Sequence, residues 1–417
     1  MKKLSLILLS FLLIIQNSIA KEKIKIESKS ITFAAIGDIV MHIPVKVCAK
    51  SRNKIVNGKS VNNRGFDYLF EPSAYIFKKH DAVIANMEFP IVKPYRSRAY
   101  NFNCEPEIIP AMRKAGINIV TFANNHSYDK GPRGVIKTLK TLEKYKMKFI
   151  GAGINEEQAR KGLIINKNGL KIGLIAYTNI FNINRNRRNP GRPRVNDLRK
   201  KYLVLQDIKR MKAKVDFLIL NVHWGIEYKI RPRRYEINFA KTYLDAGVDL
   251  IIGHHPHVLQ SIERYKAQDG RSCLIVYSLG NYISNQAYYY NVYKPVRKGR
   301  ERDSIILSLK ITKKQKPGLI TGKKRYATFL EKAVVIPVWT VNERNYRTSI
   351  TPINIRTFPI HDLLKIINSR LQKNPYNKKY LLRKKRMLKL RLKEIKRVLF
   401  RKGIPDKVEF YSRGEQT

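Results

Sequence analysis

Residues 249–257 read DLIIGHHPH, and this stretch decides how the rest of the chain is interpreted. The run Asp249–Ile252 predicts a short buried strand, and a glycine and three histidines follow where that strand ends. Three imidazoles within four residues suit Zn²⁺, Mn²⁺ or Fe²⁺. The sequence therefore predicts a metal site at His254, His255 and His257.

Four other apolar runs end in polar residues that can bind metals. The runs Ile31–Ile36, Asp81–Ala85, Ile117–Ala123 and Asp216–Asn221 precede, respectively, Asp38, Glu88, Asn125 with His126, and His223. The carboxyl ends of strands in an open α/β sheet share one edge, where ligands collect. Five of the eight histidines fall in these segments, a distribution that core packing alone does not explain.

Taken singly, most of these residues also have structural explanations. Asp38 suits a helix N-cap as well as a metal, and Glu88 suits a metal bridge, a general base or a solvated strand end. Asn125 belongs either to a tight turn or to a cation site, where the adjacent His126 would donate a proton. A lone His223 would more often be a hydrogen-bonded core residue. Only the histidine cluster favours metal binding by itself.

Length and composition indicate a large protein with a packed core, and the start of the sequence indicates export. Of the 417 residues, 43% are apolar, which argues against wholesale disorder. The charged start, the apolar run Leu4–Ile15 and small residues up to Ala20 predict a signal peptide at residues 1–20. An uncleaved anchor is the alternative. We expect a periplasmic, extracellular or envelope-associated protein. Three scattered cysteines make no disulfide framework, although one bridge with a leftover thiol stays open.

The formal net charge of +53 should attract polyanions. Nucleic acid, an anionic envelope polymer and an acidic membrane surface all qualify, and charge alone does not rank them. An Arg-dense loop is predicted at Arg185–Arg194. Residues 359–417 are predicted to form a basic amphipathic extension, because Lys378–Lys402 carries one apolar helical face. That face consists of Leu381, Leu388, Leu392, Ile395 and Leu399. Its partner is either the globular domain or an anionic membrane or polymer.

Strands that first alternate with helices and then follow one another predict a mixed α/β sandwich over residues 30–358. Helices are predicted at residues 68–79, 132–146, 197–211 and 235–246, and later strands at 273–277, 304–311 and 333–339. Asn168-Gly169 predicts a hairpin turn, whereas residues 51–64 are predicted to be a loop.

Six elements in order resemble the CapA-type capsule synthesis family, which is associated with poly-γ-glutamate capsules and is similar to the calcineurin-like metallophosphoesterases. They are Gly-Asp at 37–38, Asn-x-Glu-x-Pro at 86–90, Asn-Asn-His-x-x-Asp-x-Gly at 124–131, His-Trp-Gly-x-Glu-Tyr at 223–228, Gly-x-His-Pro-His at 253–257 and Ser-Leu-Gly-Asn at 278–281. The resemblance covers about Ile31–Ile283. It implies an α/β fold, a four-layer α/β/β/α sandwich with a dinuclear metal site between the sheets. The Ser-Leu-Gly-Asn turn is expected to pack beneath the site.

The resemblance also implies roles for individual residues. The residues that look like metal ligands are Asp38, Asn125, His223, His255 and His257. Glu88 stands where the bridging carboxylate would be, and His126 where the catalytic imidazole would be. The further candidates are His42, Asp129, Glu227 and His254. The implied cofactor is one or two divalent ions, Mn²⁺, Zn²⁺ or Fe²⁺.

Two departures from the metallophosphoesterase pattern bear on the number of ions. The position two residues after Asp38 is Val40 instead of histidine, and His42 is the nearest candidate. The bridging carboxylate is Glu88 instead of aspartate. A mononuclear or metal-poor site is therefore an alternative to a dinuclear one.

The resulting functional hypothesis is an exported metal-dependent hydrolase or transferase that acts on a phosphoester or an anionic envelope polymer, alongside other capsule-assembly proteins. A non-catalytic polyanion-binding or capsule-export subunit is the alternative from a different class. A secreted nuclease also fits the charge and the metal site.

Overall fold

The computed structural model describes residues 28–183, 192–315, 325–343, 353–373 and 377–411. The predicted signal peptide and residues 185–191 of the Arg-dense loop lie outside the described residues. Within these ranges, no helix has both the length and the apolar character needed to cross a membrane.

The described residues form 19 strands, most of them in two sheets. The first sheet contains β1 (Ser28–Ile39), β4 (Ala82–Met87), β5 (Ile119–Thr121), β6 (Lys148–Ile150), β15 (Asn281–Ile283), β16 (Asp303–Gln315), β17 (Tyr326–Glu343), β18 (Asn354–Pro359) and β19 (Val408–Phe410). Its strand order is β18-β17-β16-β1-β4-β5-β6, and β15 pairs with β1 and β19 with β17. The second sheet contains β8 (Leu163–Lys167), β9 (Leu170–Thr178), β11 (Phe217–His223), β12 (Leu250–His254), β13 (Ile262–Lys266) and β14 (Ser272–Val276). Its strand order is β13-β14-β12-β11-β9-β8. Two short pairs are β2 (Ile55–Val56) with β3 (Lys59–Ser60), and β7 (Ala152–Gly153) with β10 (Arg194–Val195).

Nine α-helices occur in the described ranges. They are α1 (Ile43–Lys50), α2 (Asp67–Phe77), α3 (Ile108–Ala115), α4 (Gly131–Lys144), α5 (Glu156–Lys161), α6 (Lys201–Lys212), α7 (Arg234–Asp245), α8 (Ile360–Lys373) and α9 (Lys378–Leu399).

The alternation of buried residues along β11 shows how the layers are stacked. Phe217 and Ile219 belong to the main core, which also contains the apolar residues of the first sheet. Leu218 and Leu220 point the other way and join a separate core with α6 and α7. The second sheet therefore lies between the first sheet and these two helices, and α2, α3 and α4 pack on the main core. The predicted four-layer α/β/β/α sandwich is confirmed.

Parallel pairing aligns the strand ends that carry the candidate site. In the first sheet β1 pairs with β4 and β4 with β5, and Asp38 lies directly opposite Asn86. In the second sheet β9, β11, β12 and β14 are parallel, and His223 lies opposite His254. The carboxyl ends in each sheet therefore share one edge, as expected for parallel α/β sheets.

Several local predictions are confirmed and others need correction. The Asn168-Gly169 turn joins β8 and β9, with φ of 53° and 81°. The predicted helices are present, but the third begins at Lys201 instead of Asp197. The segment predicted as a loop at residues 51–64 contains the β2–β3 hairpin, whose Asn57-Gly58 turn has positive φ at both positions. All three cysteines are buried and free, so no disulfide forms.

The apolar face of α9 packs on the globular domain. Leu388, Ile395 and Leu399 are at most 1% exposed and belong to the main core. Arg391 is also buried, and its Nη2 lies 2.8 Å from Asp303 Oδ2. Beyond α9 the chain returns to the first sheet as β19. Of the two partner surfaces predicted for the apolar face, the structure uses the globular domain, so any membrane association would rely on the basic exterior of the helix.

Candidate metal centre

Asp38, at the carboxyl end of β1, is fully buried and engaged by two histidines. Its Oδ1 lies 3.1 Å from His254 Nδ1 and its Oδ2 lies 3.3 Å from His257 Nδ1. Asn86 Nδ2 donates to Oδ1 at 2.8 Å, and the backbone N–H of His255 donates to Oδ2 at 3.3 Å. Burial opposes ionisation, but the hydrogen bonds from His254 and His257 hold the pKa of Asp38 well below its usual value. Asp38 is therefore poised as an anion.

Glu88 immediately follows β4 and is also fully buried. Its Oε1 accepts from Asn86 Nδ2 at 2.8 Å and lies 3.7 Å from His223 Nδ1. Its Oε2 has no hydrogen-bond partner among the described residues, although His257 Nε2 is 4.0 Å away. Burial, reinforced by the charge of Asp38, raises the pKa of Glu88 well above its usual value. A bound cation would remove this penalty by balancing both carboxylates.

Two site histidines, His223 and His255, are held in the neutral form that binds metals. Burial and the neighbouring His255 lower the pKa of His223 well below its usual value. Burial and the neighbouring His257 lower the pKa of His255 to about 3. His223 Nε2 lies 2.9 Å from Asn125 Oδ1. His257 differs: burial opposes its protonation, but the hydrogen bond and charge of Asp38, the charge of Glu227 and the hydrogen bond with Asn281 together raise its pKa.

The histidine cluster has an unusual backbone. His255 and His257 have φ of 94° and 56°, a region that non-glycine residues seldom occupy. Such conformations persist where surrounding contacts fix them, often at functional sites. Here Trp224 N donates to His254 O at 3.1 Å, and Leu279 N donates to Gly253 O at 3.1 Å. Hydrogen bonds from two separate segments therefore hold the backbone at the start of the cluster.

The residues present fit a divalent cation. Asp38, Glu88 and His257 each offer a ligand atom within 4.8 Å of the other two, and Glu227, His255 and His257 form a second such group. Among the predicted site residues, three buried side-chain atoms lack hydrogen-bond partners in the described part of the chain: Glu88 Oε2, His254 Nε2 and His255 Nδ1. Native proteins seldom leave such atoms unsatisfied. Carboxylate oxygens with imidazole nitrogens suit Mn²⁺, Zn²⁺ or Fe²⁺.

His126 is oriented by Asp129. His126 Nδ1 donates to Asp129 Oδ2 at 2.9 Å, and both side chains are buried. Asp129 Oδ2 also accepts from the backbone N–H of Phe102 at 2.6 Å, and the Phe102 ring centroid lies 4.3 Å from that of His126. Because Nδ1 is used in this way, Nε2 is the nitrogen available for proton transfer.

The structure brings the predicted site residues together, with His42 at the edge of the group, within electrostatic reach of His126 and His257. His42 Nδ1 accepts from the backbone N–H of Asn285 at 3.3 Å, and its ring packs edge-on against Phe102 with centroids 5.0 Å apart. Burial chiefly lowers the pKa of His42 to about 4. Neither candidate ligand group among the described residues contains His42.

Two asparagines in the site were not predicted as site residues. Asn86 contacts Asp38, Glu88 and His223, whose Nδ1 lies 3.2 Å from Asn86 Nδ2. Asn281 Oδ1 lies 2.9 Å from His257 Nδ1, so the Ser-Leu-Gly-Asn turn contributes to the site instead of only packing beneath it. Both asparagines lie opposite Asp38, on β4 and β15. Their place in two of the recognised motifs was the available signal.

The fold and the site define a two-sheet α/β protein with a buried Asp/Glu/His centre between strand ends. The chain belongs to the bacterial capsule synthesis protein family PGA_cap, whose model matches residues 32–286. It is 32% identical over 272 residues to the capsule biosynthesis protein CapA of Bacillus anthracis, covering 63% of this chain and 62% of that protein. It is 28% identical over 278 residues to the PGA biosynthesis protein CapA of Bacillus subtilis, covering 64% and 67%. The match therefore spans about two thirds of these relatives.

Solved structures resemble the chain distantly. A 5′-nucleotidase from Candida albicans aligns with a TM-score of 0.34 and 10% identity, covering 73% of this chain and 51% of that one.

Proposed function

We propose that this protein is an exported, metal-dependent enzyme of capsule synthesis that hydrolyses or transfers a bond in a phosphoester or in an anionic envelope polymer such as poly-γ-glutamate. The observation that carries the proposal is the fully buried pair Asp38 and Glu88, surrounded by histidines, with Glu88 Oε2 unpartnered among the described residues. The names of the Bacillus relatives, which refer to capsule and PGA biosynthesis, support the substrate class.

The ligands would come from both sheets: Asp38, Glu88 and Asn125 from the first, and His223, His255 and His257 from the second. A divalent cation held there supplies a Lewis acid that polarises anionic oxygens and lowers the pKa of water. His126 donates a proton to the leaving group, while Asp129 keeps its imidazole oriented. The net charge of +53 attracts the anionic substrate.

A second candidate function is a non-catalytic polyanion-binding or capsule-export subunit. It is favoured by one specific observation, the replacement of an expected histidine ligand by the buried Val40. Such a protein would keep the fold and the basic surface and would work with other capsule-assembly proteins.

Metal content comes first in the test. Purified protein is incubated with Mn²⁺, desalted and analysed for metal; we expect at least one tightly held equivalent. If the purified protein binds no metal, the proposed enzymatic function loses its basis. Metal-loaded protein is then screened with aryl phosphates, phosphodiesters, γ-glutamyl peptides and plasmid DNA. Activity lost in His126→Ala but retained in the control His361→Ala, a half-buried histidine outside the site, supports catalysis. Bound metal with no turnover of any substrate would favour the binding subunit.

A further inference from the structure

Tyr228 lies on the exposed side of the metal centre and is tied to the segment that follows β15. Its ring centroid is 6.3 Å from that of His257, and its side chain is exposed. Gln286 Nε2 donates to Tyr228 Oη at 3.2 Å, and Gln286 Oε1 accepts from Asn281 Nδ2 at 2.6 Å. Because Asn281 also contacts His257, the chain leaves residue 286 from beside the candidate ligands.

The residues that follow present three tyrosines to solvent. Tyr288, Tyr289 and Tyr293 are exposed, and the rings of Tyr288 and Tyr289 meet edge-on with centroids 5.8 Å apart. Tyr290, by contrast, is buried against Trp339, with ring centroids 5.7 Å apart, and anchors the segment. Contiguous exposed apolar surface often marks a binding site. The segment is therefore held from beneath while three rings face outwards.

Two cations lie beside these exposed rings. Lys294 Nζ is 5.0 Å from the ring centroid of Tyr289, and Arg383 Cζ, on α9, is 4.7 Å from that of Tyr293. A cation over an aromatic face is attracted to it. Each pair therefore holds a positive charge next to a ring that stays exposed, and the second pair extends the surface to the basic exterior of α9.

The exposed rings and the metal centre share one part of the surface. Glu301 lies within electrostatic reach of both Tyr228 and Tyr289. We call the following six residues the tyrosine track: Tyr228, Tyr288, Tyr289, Tyr293, Lys294 and Arg383. All of the track except Tyr228 lies beyond residue 286, where the match to the family model ends. The motifs shared with the family therefore do not account for it.

We propose that the tyrosine track binds an acidic polysaccharide and leads it to the metal centre. The C–H face of a sugar ring stacks on tyrosine, and a carboxylate pairs with lysine or arginine. In a uronic acid the carboxylate is attached to the stacking ring itself, which fits cations 5.0 and 4.7 Å from the tyrosine rings. Poly-γ-glutamate has no ring to stack, and in a nucleotide a sugar separates the phosphate from the base. The inference rests on the proposed function for the reaction at the centre, but not for the binding.

The test measures binding without turnover. The full chain is titrated against fluorescently labelled oligogalacturonate, poly-γ-glutamate with the same number of carboxylates, and oligothymidylate with the same number of phosphates. Anisotropy is read in the presence of EDTA, so that no polymer is cleaved by a metal-dependent reaction. We expect oligogalacturonate to bind roughly tenfold more tightly than poly-γ-glutamate, because only its rings can stack on tyrosine.

Matched variants separate stacking from charge. Tyr289→Ala/Tyr293→Ala should weaken oligogalacturonate binding roughly tenfold and leave poly-γ-glutamate binding nearly unchanged. Tyr289→Phe/Tyr293→Phe keeps both rings and should bind like the wild type. Tyr202→Ala removes a tyrosine of α6 that is 63% exposed, close to the 68% of Tyr293, and should change neither affinity. Lys294→Gln/Arg383→Gln should weaken binding of both polymers and reduce its dependence on salt.

The outcomes separate the track from the proposed enzyme. Equal affinities for oligogalacturonate and poly-γ-glutamate, or an unchanged affinity in Tyr289→Ala/Tyr293→Ala, overturn the track. Tighter binding of oligothymidylate than of oligogalacturonate, lost in the same variant, makes the ligand a single-stranded nucleic acid and overturns the polysaccharide. Selective, tyrosine-dependent binding of oligogalacturonate by a chain that holds no metal and cleaves nothing supports the track and overturns the enzyme.

Discussion

The metal centre and the α9 interface both bury charged groups, but they balance those charges differently. At the α9 interface opposite charges meet directly: Arg391 lies 2.8 Å from Asp303, and Arg300 Nη2 lies 2.7 Å from Glu394 Oε1. At the centre, two buried carboxylates lie side by side, and within the described part of the chain only histidines form ion pairs with them. The interface thus pairs cations with anions, whereas the centre places two carboxylates beside each other with no Arg or Lys partner among the described residues. That difference separates a structural charge cluster from a ligand site.

The largest effect that tests this comparison is expected from His255→Ala/His257→Ala. Removing two ligands should abolish divalent metal binding, a greater loss than the roughly 10–100-fold that follows loss of an outer-shell partner. The unfolding midpoint in urea should stay close to that of the wild type, because the removed side chains contribute mainly polar atoms at strand ends. Metal analysis and circular dichroism measure the two quantities. Retained metal, or loss of the fold, would contradict the assignment.

Arg391→Ala is expected to lose stability and keep its bound metal, the reverse of what is expected for the double histidine variant. Breaking a buried ion pair by removing one partner costs about 3–5 kcal/mol, since the other charge stays buried. Burial already raises the pKa of Asp303 to about 7, so protonation of Asp303 should keep the cost near the lower end. Urea denaturation at neutral pH measures this loss, and metal stoichiometry should not change.

A matched double variant sharpens the Arg391 prediction. Arg391→Met with Asp303→Asn removes both charges and should recover much of the lost free energy of unfolding. A stability of Arg391→Ala within about 1 kcal/mol of the wild type would mean that the pair contributes little, as exposed pairs often do.

Within the histidine cluster we expect a graded result. His255→Ala should weaken metal binding more than His254→Ala, because His255 is a predicted ligand, whereas His254 occupies the variable position of the Gly-x-His-Pro-His pattern. His254 Nδ1 lies 3.1 Å from Asp38, so its loss should still cost roughly 10-fold as a positioning effect. Calorimetric Mn²⁺ titration of the two variants measures the two losses of affinity. Equal losses would show that the roles within the cluster are misassigned.

The smallest effect concerns acid conditions at α9. Although burial opposes it, hydrogen bonding to Arg397 and Arg300 lowers the pKa of Glu394 to about 2. A depressed folded-state pKa gives stability that is present above the unfolded value near 4.5 and lost as the pH falls towards about 2. The stability difference between the wild type and Glu394→Gln should therefore be present at pH 6 and shrink below pH 4. Urea midpoints across this range measure it, and a constant difference would exclude the linkage.

Much of the fold could be predicted because buried parallel strands leave a local signal. Apolar runs such as Phe217–Val222 mark the strands, and the polar residues just after them mark the edge where a site forms. The motifs included Asn86 and Asn281, but their contacts with Asp38 and His257 could not be predicted, because these depend on which residue lies opposite Asp38 across the sheet. No local pattern gives that register.

The sequence also left open which surface the apolar face of α9 covers, for a related reason. The spacing of Leu388, Ile395 and Leu399 shows that one face is apolar but does not identify the surface that it covers. The structure supplies that information through contacts distant in sequence, such as Arg391 with Asp303 and Trp339. The segment at residues 51–64 was mistaken for a plain loop because its strands are only two residues long.

The long strand β17 has a consequence for biosynthesis. One edge is covered from two places: β18 pairs with residues 338–343, and β19 pairs with residues 333–335. While the chain is being made in sequence order, the first stretch can close as soon as β18 emerges. The second stretch stays open until Val408–Phe410 arrive, and an open strand edge is a template for pairing with other chains. The protein is therefore most prone to self-association late in its synthesis, when nearly all of its core residues are already available.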